Sequence, residues 1–202
     1  MISIIMPGVG GQGAVMLSNI LGLACARQGL PAKTGELHGL SQRSGSIVTH
    51  LRIGEGVLSP IIPIGGADCI AAMELMEALR YVEFLKPGGL IVSSSRIMHP
   101  PSETIAVSRK ERAYLHVDEV VARLRTMAGR LVLFDGPALA LQAGDGRTEN
   151  VVLLGALWGT GILPLTEEAV EEALLAQVPA KAREVNRVAF RLGKEADEPH
   201  AG

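Results

Sequence analysis

Apolar residues along the chain switch repeatedly between a run typical of a buried strand and the spacing of a helix. Ile2-Ser3-Ile4-Ile5-Met6 is a short, almost continuous apolar run that ends at Pro7-Gly8, as a buried strand does. Leu17, Ile20, Leu21 and Ala24 then recur at i, i+3, i+4 and i+7 and predict a helix that stops near Gly29-Leu30-Pro31. From Ser46 to Ile53 the period falls to two, with Ile47, Thr49, Leu51 and Ile53 on one face and Val48, His50 and Arg52 on the other. Gly54-Glu55-Gly56 turns the chain and Val57-Leu58 offers a return arm, so a β-hairpin is expected near residues 46–58.

The alternation then resumes. Cys69-Ile70-Ala71-Ala72 and Leu90-Ile91-Val92 are strand-like, Leu75 to Phe84 is helix-like, and Lys86-Pro87-Gly88-Gly89 reads as a turn. Ile105-Ala106-Val107 is a further strand candidate, and Val117 to Met127 predicts a helix. Leu131 to Phe134 predicts a strand, and Pro137 suits the first turn of the helix after it. Val151 to Trp158 is apolar nearly all round, the mark of a buried helix. Thr166 is placed to cap the next helix, with Glu167 and Glu168 in its first turn. Val185, Val188, Ala189 and Leu192 stripe a last one. Strands alternating with helices over short connections predict an α/β fold: a mainly parallel, Rossmann-like sheet covered by helices, with the added hairpin. Neither a linker nor an internal repeat interrupts it, so residues 1–192 are expected to form one domain, followed by a flexible tail over 193–202.

Composition narrows the function classes. A mean hydropathy of +0.29 and 48% hydrophobic residues exclude a disordered chain. The 19 basic and 21 acidic residues leave a net charge of −2, with no basic field for nucleic acid. Only Cys25 and Cys69 are present, too few for an iron–sulfur cluster or a four-thiolate zinc site, and both sit in apolar runs as inert thiols would. The five histidines lack metal-ligand spacing. The longest apolar stretch, Val151 to Leu165, is broken by glycines and Pro164 and is shorter than the roughly 20 residues of a membrane span. No basic segment precedes an apolar one at the start, so a cytoplasmic protein without membrane contact is expected. Glycine, 24 of 202 residues, is well above the usual share of about 7%, which points to closely packed backbones.

Two segments carry candidate chemistry. Gly8-Val9-Gly10-Gly11-Gln12-Gly13 fits G-x-G-x-x-G between a strand and a helix. Glycines there permit a tight turn and let backbone N–H groups approach a phosphate at a helix N-terminus. The acidic partner of a dinucleotide site is expected about 20 residues on, and Glu36 lies in that range. A strand–helix turn that merely packs against another chain is the alternative. The second segment, His38-Gly39-Leu40-Ser41-Gln42-Arg43-Ser44-Gly45-Ser46, is polar and hydroxyl-rich at a strand end. Arg43 could clamp a phosphate or carboxylate with its planar donors, supported by Ser41, Ser44 and Ser46; the alternative is an exposed loop with local hydroxyl–backbone bonds. No nucleophile elbow occurs, and Gly144-Asp145-Gly146, though it begins like a thiamine-diphosphate motif, lacks a matching asparagine segment and reads as a turn.

Taken in order, the glycine motif, the His38–Ser46 segment, Ser59-Pro60-Ile61-Ile62, Leu85-Lys86-Pro87-Gly88-Gly89 and Asn150-Val151-Val152-Leu153-Leu154-Gly155-Ala156-Leu157 resemble the gamma-type domain of the 2-oxoacid:ferredoxin oxidoreductases, over about residues 2–192. Length and the His38–Ser46 loop are most similar to the indolepyruvate branch of that superfamily. His38 and Gln42 stand where pyruvate-type relatives carry acidic or aromatic residues. The resemblance implies oxidative decarboxylation of an arylpyruvate to an acyl-CoA with ferredoxin as acceptor. It implies a larger alpha subunit that carries thiamine diphosphate and the iron–sulfur clusters. This chain would then hold no cofactor or metal, supply no catalytic residue, and be inactive alone. Its expected part is to bind or shield coenzyme A phosphates or the substrate carboxylate through Gly8, Gly10, Gly11, Gln12, Gly13, His38, Ser41, Gln42, Arg43 and Ser44. A stand-alone NAD(P)H- or flavin-binding reductase and a purely structural assembly module remain the competing classes.

Overall fold

The computed structural model describes residues 1–38, 45–98 and 115–196. The strand candidate Ile105-Ala106-Val107, Ser41, Gln42, Arg43 and Ser44 of the polar loop, and residues 197–202 of the tail lie outside these. Six strands form one sheet: β1 (Ile2–Val9), β2 (Ala32–His38), β3 (Ser46–Ile53), β4 (Ala67–Ala72), β5 (Leu85–Ser94) and β6 (Arg130–Phe134), in the order β2-β3-β1-β4-β5-β6. β3 runs antiparallel to both its neighbours and the other strands share one direction. Around them lie α1 (Ala14–Arg27), α2 (Leu75–Arg80), α3 (Val117–Met127), α4 (Gly136–Ala143), α5 (Glu149–Gly159), α6 (Glu167–Gln177) and α7 (Arg183–Glu195).

The mainly parallel α/β sheet agrees with the sequence pattern, and so does an antiparallel departure beginning at Ser46. Its partners differ from expectation. Val57-Leu58 forms no strand, and Leu58 is almost fully exposed. The antiparallel pair is β2 with β3, in register from Ala32 opposite Ile53 to His38 opposite Ile47, and β3 is inserted between β2 and β1. β1 also continues through Pro7 and Gly8 to Val9. Pro7 is tolerated inside a central strand because its carbonyl faces β4, where it accepts the Met73 N–H at 3.1 Å. The N–H that proline lacks would point the same way, so the ladder to β3 loses nothing.

Period-two alternation divides the core. Ile4 and Met6 face α1 and α5–α7, in a cluster that also takes in Cys69, Ala71, Val92 and Phe134. Ile70, Ala72 and Ile91 face α2 and α3 on the other side. Ile5 and Val48 share that second side with Ile62, on the segment that follows β3. α5 is buried from Glu149 to Leu157, which takes in the expected apolar run from Val151, while Trp158 at its end is half-buried. It lies so close to α7 that a Cβ on Gly155 would overlap the Phe190 carbonyl, and one on Gly193 the Val152 carbonyl. The fully buried line of α7 is Asn186, Ala189, Phe190 and Gly193. Val185, Val188 and Leu192 flank it half-buried, so the apolar stripe is offset from the contact line. Thr166 caps α6 as expected, its hydroxyl accepting the Ala169 N–H at 3.2 Å. Pro137 occupies the first turn of α4. α2 stops at Arg80, before the expected Phe84, and passes through a 3₁₀ turn into β5, whose first residues include the expected Lys86–Gly89 turn as a bulge against β4.

Candidate functional site

The C-terminal ends of β1, β4 and β5 share one edge of the sheet with the starts of α1, α2 and α5, the position at which open α/β sheets present ligands. The glycine motif lies there. Val9 ends β1, Gly11 and Gly13 adopt φ of 94° and 90°, and Gly13 is the N-cap of α1. The Gly10 N–H donates to the Gly45 carbonyl at 3.0 Å, which ties this loop to the entry of β3. Gln12 folds back: its Oε1 accepts the Val9 N–H at 2.7 Å, and its Nε2 donates to Met98 Sδ at 3.1 Å.

The glycines of the motif do different things. A Cβ on Gly8 would lie 3.0 Å from Met73 Cγ, and one on Gly13 would lie 2.7 Å from Asn150 Nδ2. Gly11 is exposed with nothing within 4 Å of a Cβ. Packing and a positive φ therefore require glycine at 13, room beside Gly8 is tight, and Gly11 leaves open backbone at the mouth of the loop. An open cavity of about 400 Å³ adjoins it, bordered by Gly11, Gly13, Met16, Asn19, Ile47 and Gln177. No described residue lining it is charged. An anion in that space would depend on backbone N–H groups and the start of α1.

Glu36 does not stand beside the glycine loop. It pairs with Thr49 on β3, which in turn pairs with Met6, so it is two strand spacings, roughly 10 Å, from β1. The acidic partner of a dinucleotide fingerprint sits on the strand next to β1; inserting β3 removes that arrangement. His38 closes β2 opposite Ile47. Ser46 lies at the start of β3 and its hydroxyl is already engaged, donating to Glu77 with the Tyr81 hydroxyl 3.0 Å away.

Sequence reasoning missed the buried carboxylates of this edge. Glu74 is 1% exposed and caps α2: Oε1 accepts the Glu77 N–H at 2.9 Å, and Oε2 accepts the N–H groups of Met76 and Met98, each at 3.1 Å. Burial pushes the Glu74 carboxyl up, the backbone donors oppose the shift and the Glu77 charge adds to it. Glu77, 3% exposed, accepts from Ser46 and from Arg80 Nε at 2.9 Å. Glu149, at the start of α5, accepts from Arg96 at 3.0 Å and from Ser94 at 3.3 Å, and burial raises its carboxyl against the pull of Arg96. Two acids three apart in the otherwise apolar Ala71–Leu79 run were the available signal for Glu74 and Glu77; nothing local marked Glu149.

Other candidates are structural. The Cys25 thiol is pushed up to about 11 by burial, and that of the fully buried Cys69 is raised further, so neither is a ready nucleophile or ligand. Among the described residues no cluster of three or more His, Cys, Asp or Glu is placed to hold a metal, and no helix is long and apolar enough to cross a membrane. Gly144-Asp145-Gly146 is a turn: Gly144 is left-handed, and Arg147 holds the Asp145 carboxyl down at about 2.

The pyruvate ferredoxin/flavodoxin oxidoreductase family model matches residues 3–196. The chain belongs to this family. Its relatives in the oxidoreductase family include the indolepyruvate oxidoreductase subunit IorB of Thermococcus kodakarensis, 40% identical over 99% of this chain and 98% of that protein. The subunit of the same name from Methanothermobacter thermautotrophicus is 34% identical over 92% of each. The pyruvate/ketoisovalerate oxidoreductases common subunit gamma of Thermococcus kodakarensis is 27% identical over 86% of this chain and 85% of that one. Among solved structures, the keto/oxoacid ferredoxin oxidoreductase gamma subunit of Geobacter sulfurreducens shares the fold, with a TM-score of 0.71 over 98% of both chains at 23% identity. The 2-oxoglutarate:ferredoxin oxidoreductase of Magnetococcus marinus matches with a TM-score of 0.69 over 97% of this chain and 31% of its own, at 19% identity. The family fold is thus found both as a separate chain and within a longer one.

Proposed function

We propose that this chain is the non-cluster subunit of an enzyme that oxidatively decarboxylates indolepyruvate or other arylpyruvates, forming the aryl-acetyl-CoA and CO₂ with ferredoxin as electron acceptor. Near-full-length likeness to proteins named indolepyruvate oxidoreductase subunit carries this reading. A larger companion subunit supplies thiamine diphosphate, which serves the decarboxylation, and iron–sulfur clusters, which carry two electrons to ferredoxin. This chain holds neither group and acts in the cytoplasm, as one domain, by completing a pocket begun on the companion.

Its contribution is to bind the anionic parts of coenzyme A or of the oxoacid. Open backbone at Gly11 and the start of α1 offer N–H donors at the ligand edge. Gly8 and Gly13 keep the loop against β4 and α5, Gly10 ties it to Gly45, and Gln12 closes it on Val9. Arg43 supplies the guanidinium, and His38, Ser41, Gln42 and Ser44 of the same segment supply further polar groups. Purification of the native complex tests the assignment: a large cysteine-rich partner with thiamine diphosphate is expected, and recovery of the chain alone with a redox-active nucleotide overturns it. In the reconstituted complex, Arg43→Ala raises the KM for coenzyme A or for the oxoacid; wild-type values of both KM and of kcat would remove the binding role.

A further inference from the structure

Two fully buried glutamates on one short helix have no place in that binding role, and burying a carboxylate is costly unless it is paired or hydrogen-bonded. Each is linked through hydrogen bonds to a different side of the glycine loop. Glu77 accepts the Ser46 hydroxyl; Ser46 follows Gly45 in the chain, and the Gly45 carbonyl receives the Gly10 N–H at 3.0 Å. Glu74 accepts the Met98 N–H at 3.1 Å; Met98 Sδ receives Gln12 Nε2, and Gln12 Oε1 accepts the Val9 N–H. Glu74 also accepts the Glu77 N–H, so the two routes start from one rigid unit at the head of α2. Arg80 holds Glu77 from the solvent side, and Met73, just before Glu74, fills the space beside Gly8.

We propose that Glu77 and Glu74 are positioning residues that brace the glycine loop from two sides, Glu77 through Ser46 and Gly45 to Gly10, and Glu74 through Met98 and Gln12 to Val9. Carboxylates suit this task. Each has two oxygens with several lone pairs, so one side chain holds two or three donors from different segments at once. A carboxamide of the same shape keeps one acceptor oxygen and turns the other into a donor, so it cannot hold every donor a carboxylate holds, and it weakens the brace without emptying the space. The loop's backbone serves a ligand only if it is held in place before the ligand arrives, since an ångström of misplacement is expensive in rate and affinity. The kinetic consequence rests on the proposed binding role of the loop; the brace itself does not.

The test uses the purified complex with its companion subunit, carrying Glu77→Gln, Ser46→Ala, the double variant, or Glu74→Gln. Deuterium exchange in peptides covering residues 8–13 is expected to quicken by about tenfold in Glu77→Gln, in Ser46→Ala and in Glu74→Gln, with β5 peptides unchanged, and wild-type loop exchange in Glu74→Gln overturns the Glu74 route. The KM for coenzyme A is expected to rise about tenfold with kcat reduced less than twofold, and the double variant to be no worse than the poorer single one, because both changes cut one route. Ser46→Ala removes only one hydroxyl, so the test survives if Glu77→Gln fails to assemble. Unchanged loop exchange in Ser46→Ala, or exchange that rises equally in β5, overturns the brace. A wild-type KM in Glu77→Gln when Arg43→Ala raises it and loop exchange quickens keeps the brace and overturns its kinetic consequence. If Arg43→Ala and Glu77→Gln both leave KM unchanged while loop exchange quickens, the brace stands and the binding role of the loop fails.

Discussion

Glycine serves opposite ends in the α5–α7 contact and in the 8–13 loop. Between the helices, Gly155 and Gly193 allow two backbones to touch, and every added atom meets a carbonyl of the opposing helix. In the loop, Gly13 meets a side chain, Asn150, and Gly11 meets nothing. The helical glycines belong to the core, where density is crystalline and small volumes matter. The loop glycines are held by a few hydrogen bonds around an open space. Stability should therefore depend most on the first pair and less on Gly13, and on the proposed binding role it is Gly11 that matters to ligand affinity.

Substitution tests the contrast. Gly155→Ala forces α5 and α7 apart and should destabilise by about 3 kcal/mol, lowering the melting temperature by about 6–12 °C. A melting temperature within a degree of wild type would mean the helices can part at Gly155 without loss of packing. Gly13→Ala places a side chain at φ 90° against Asn150 and should cost about 2 kcal/mol. Pairing it with Asn150→Ala relieves the contact and should recover part of that loss, leaving the backbone strain. Gly11→Ala has the same backbone penalty without a clash, about 1 kcal/mol, so its larger effect should be on the KM for coenzyme A; a greater fall in melting temperature than for Gly13→Ala would reverse the assignment.

The polar groups predict a pH dependence of two signs. The buried His50 accepts the Ile62 N–H on Nδ1 at 3.1 Å, and burial lowers its pKa below the ordinary 6.5. The unfolded chain thus binds this proton more readily, so the stabilisation is complete above 6.5 and is lost as pH falls through the folded value. Burial raises Glu74 and Glu149 above the ordinary 4.5, so their contribution is complete below 4.5 and is lost as pH rises through their folded values. Melting temperature against pH should lose its fall below 6.5 in His50→Gln and part of its decline above 4.5 in Glu74→Gln; unaltered profiles would refute these assignments. The smallest effect is expected at the exposed Arg147–Asp145 pair, where Arg147→Ala should leave the melting temperature unchanged while an NMR titration shows Asp145 rising from about 2 towards 3.8.

Local pattern carried most of the architecture. Apolar runs marked β1, β4 and β6, three-and-four spacing marked α1, and an all-apolar stretch marked α5 as buried, because strand and helix periodicity, caps and turns are encoded over a few neighbouring residues. The glycine motif was legible as a strand–helix turn for the same reason. Strand order was not: β3 has the same alternation whether it pairs with Val57-Leu58 or with Ala32–His38, and only the assembled sheet places it between β2 and β1 and takes Glu36 away from the glycine loop. Nor did any local signal distinguish the packed Gly13 from the open Gly11, or link Glu77 to Ser46 across 31 positions. Such roles depend on which distant groups share a space, and that is settled when the core closes, after every short-range preference has already been met.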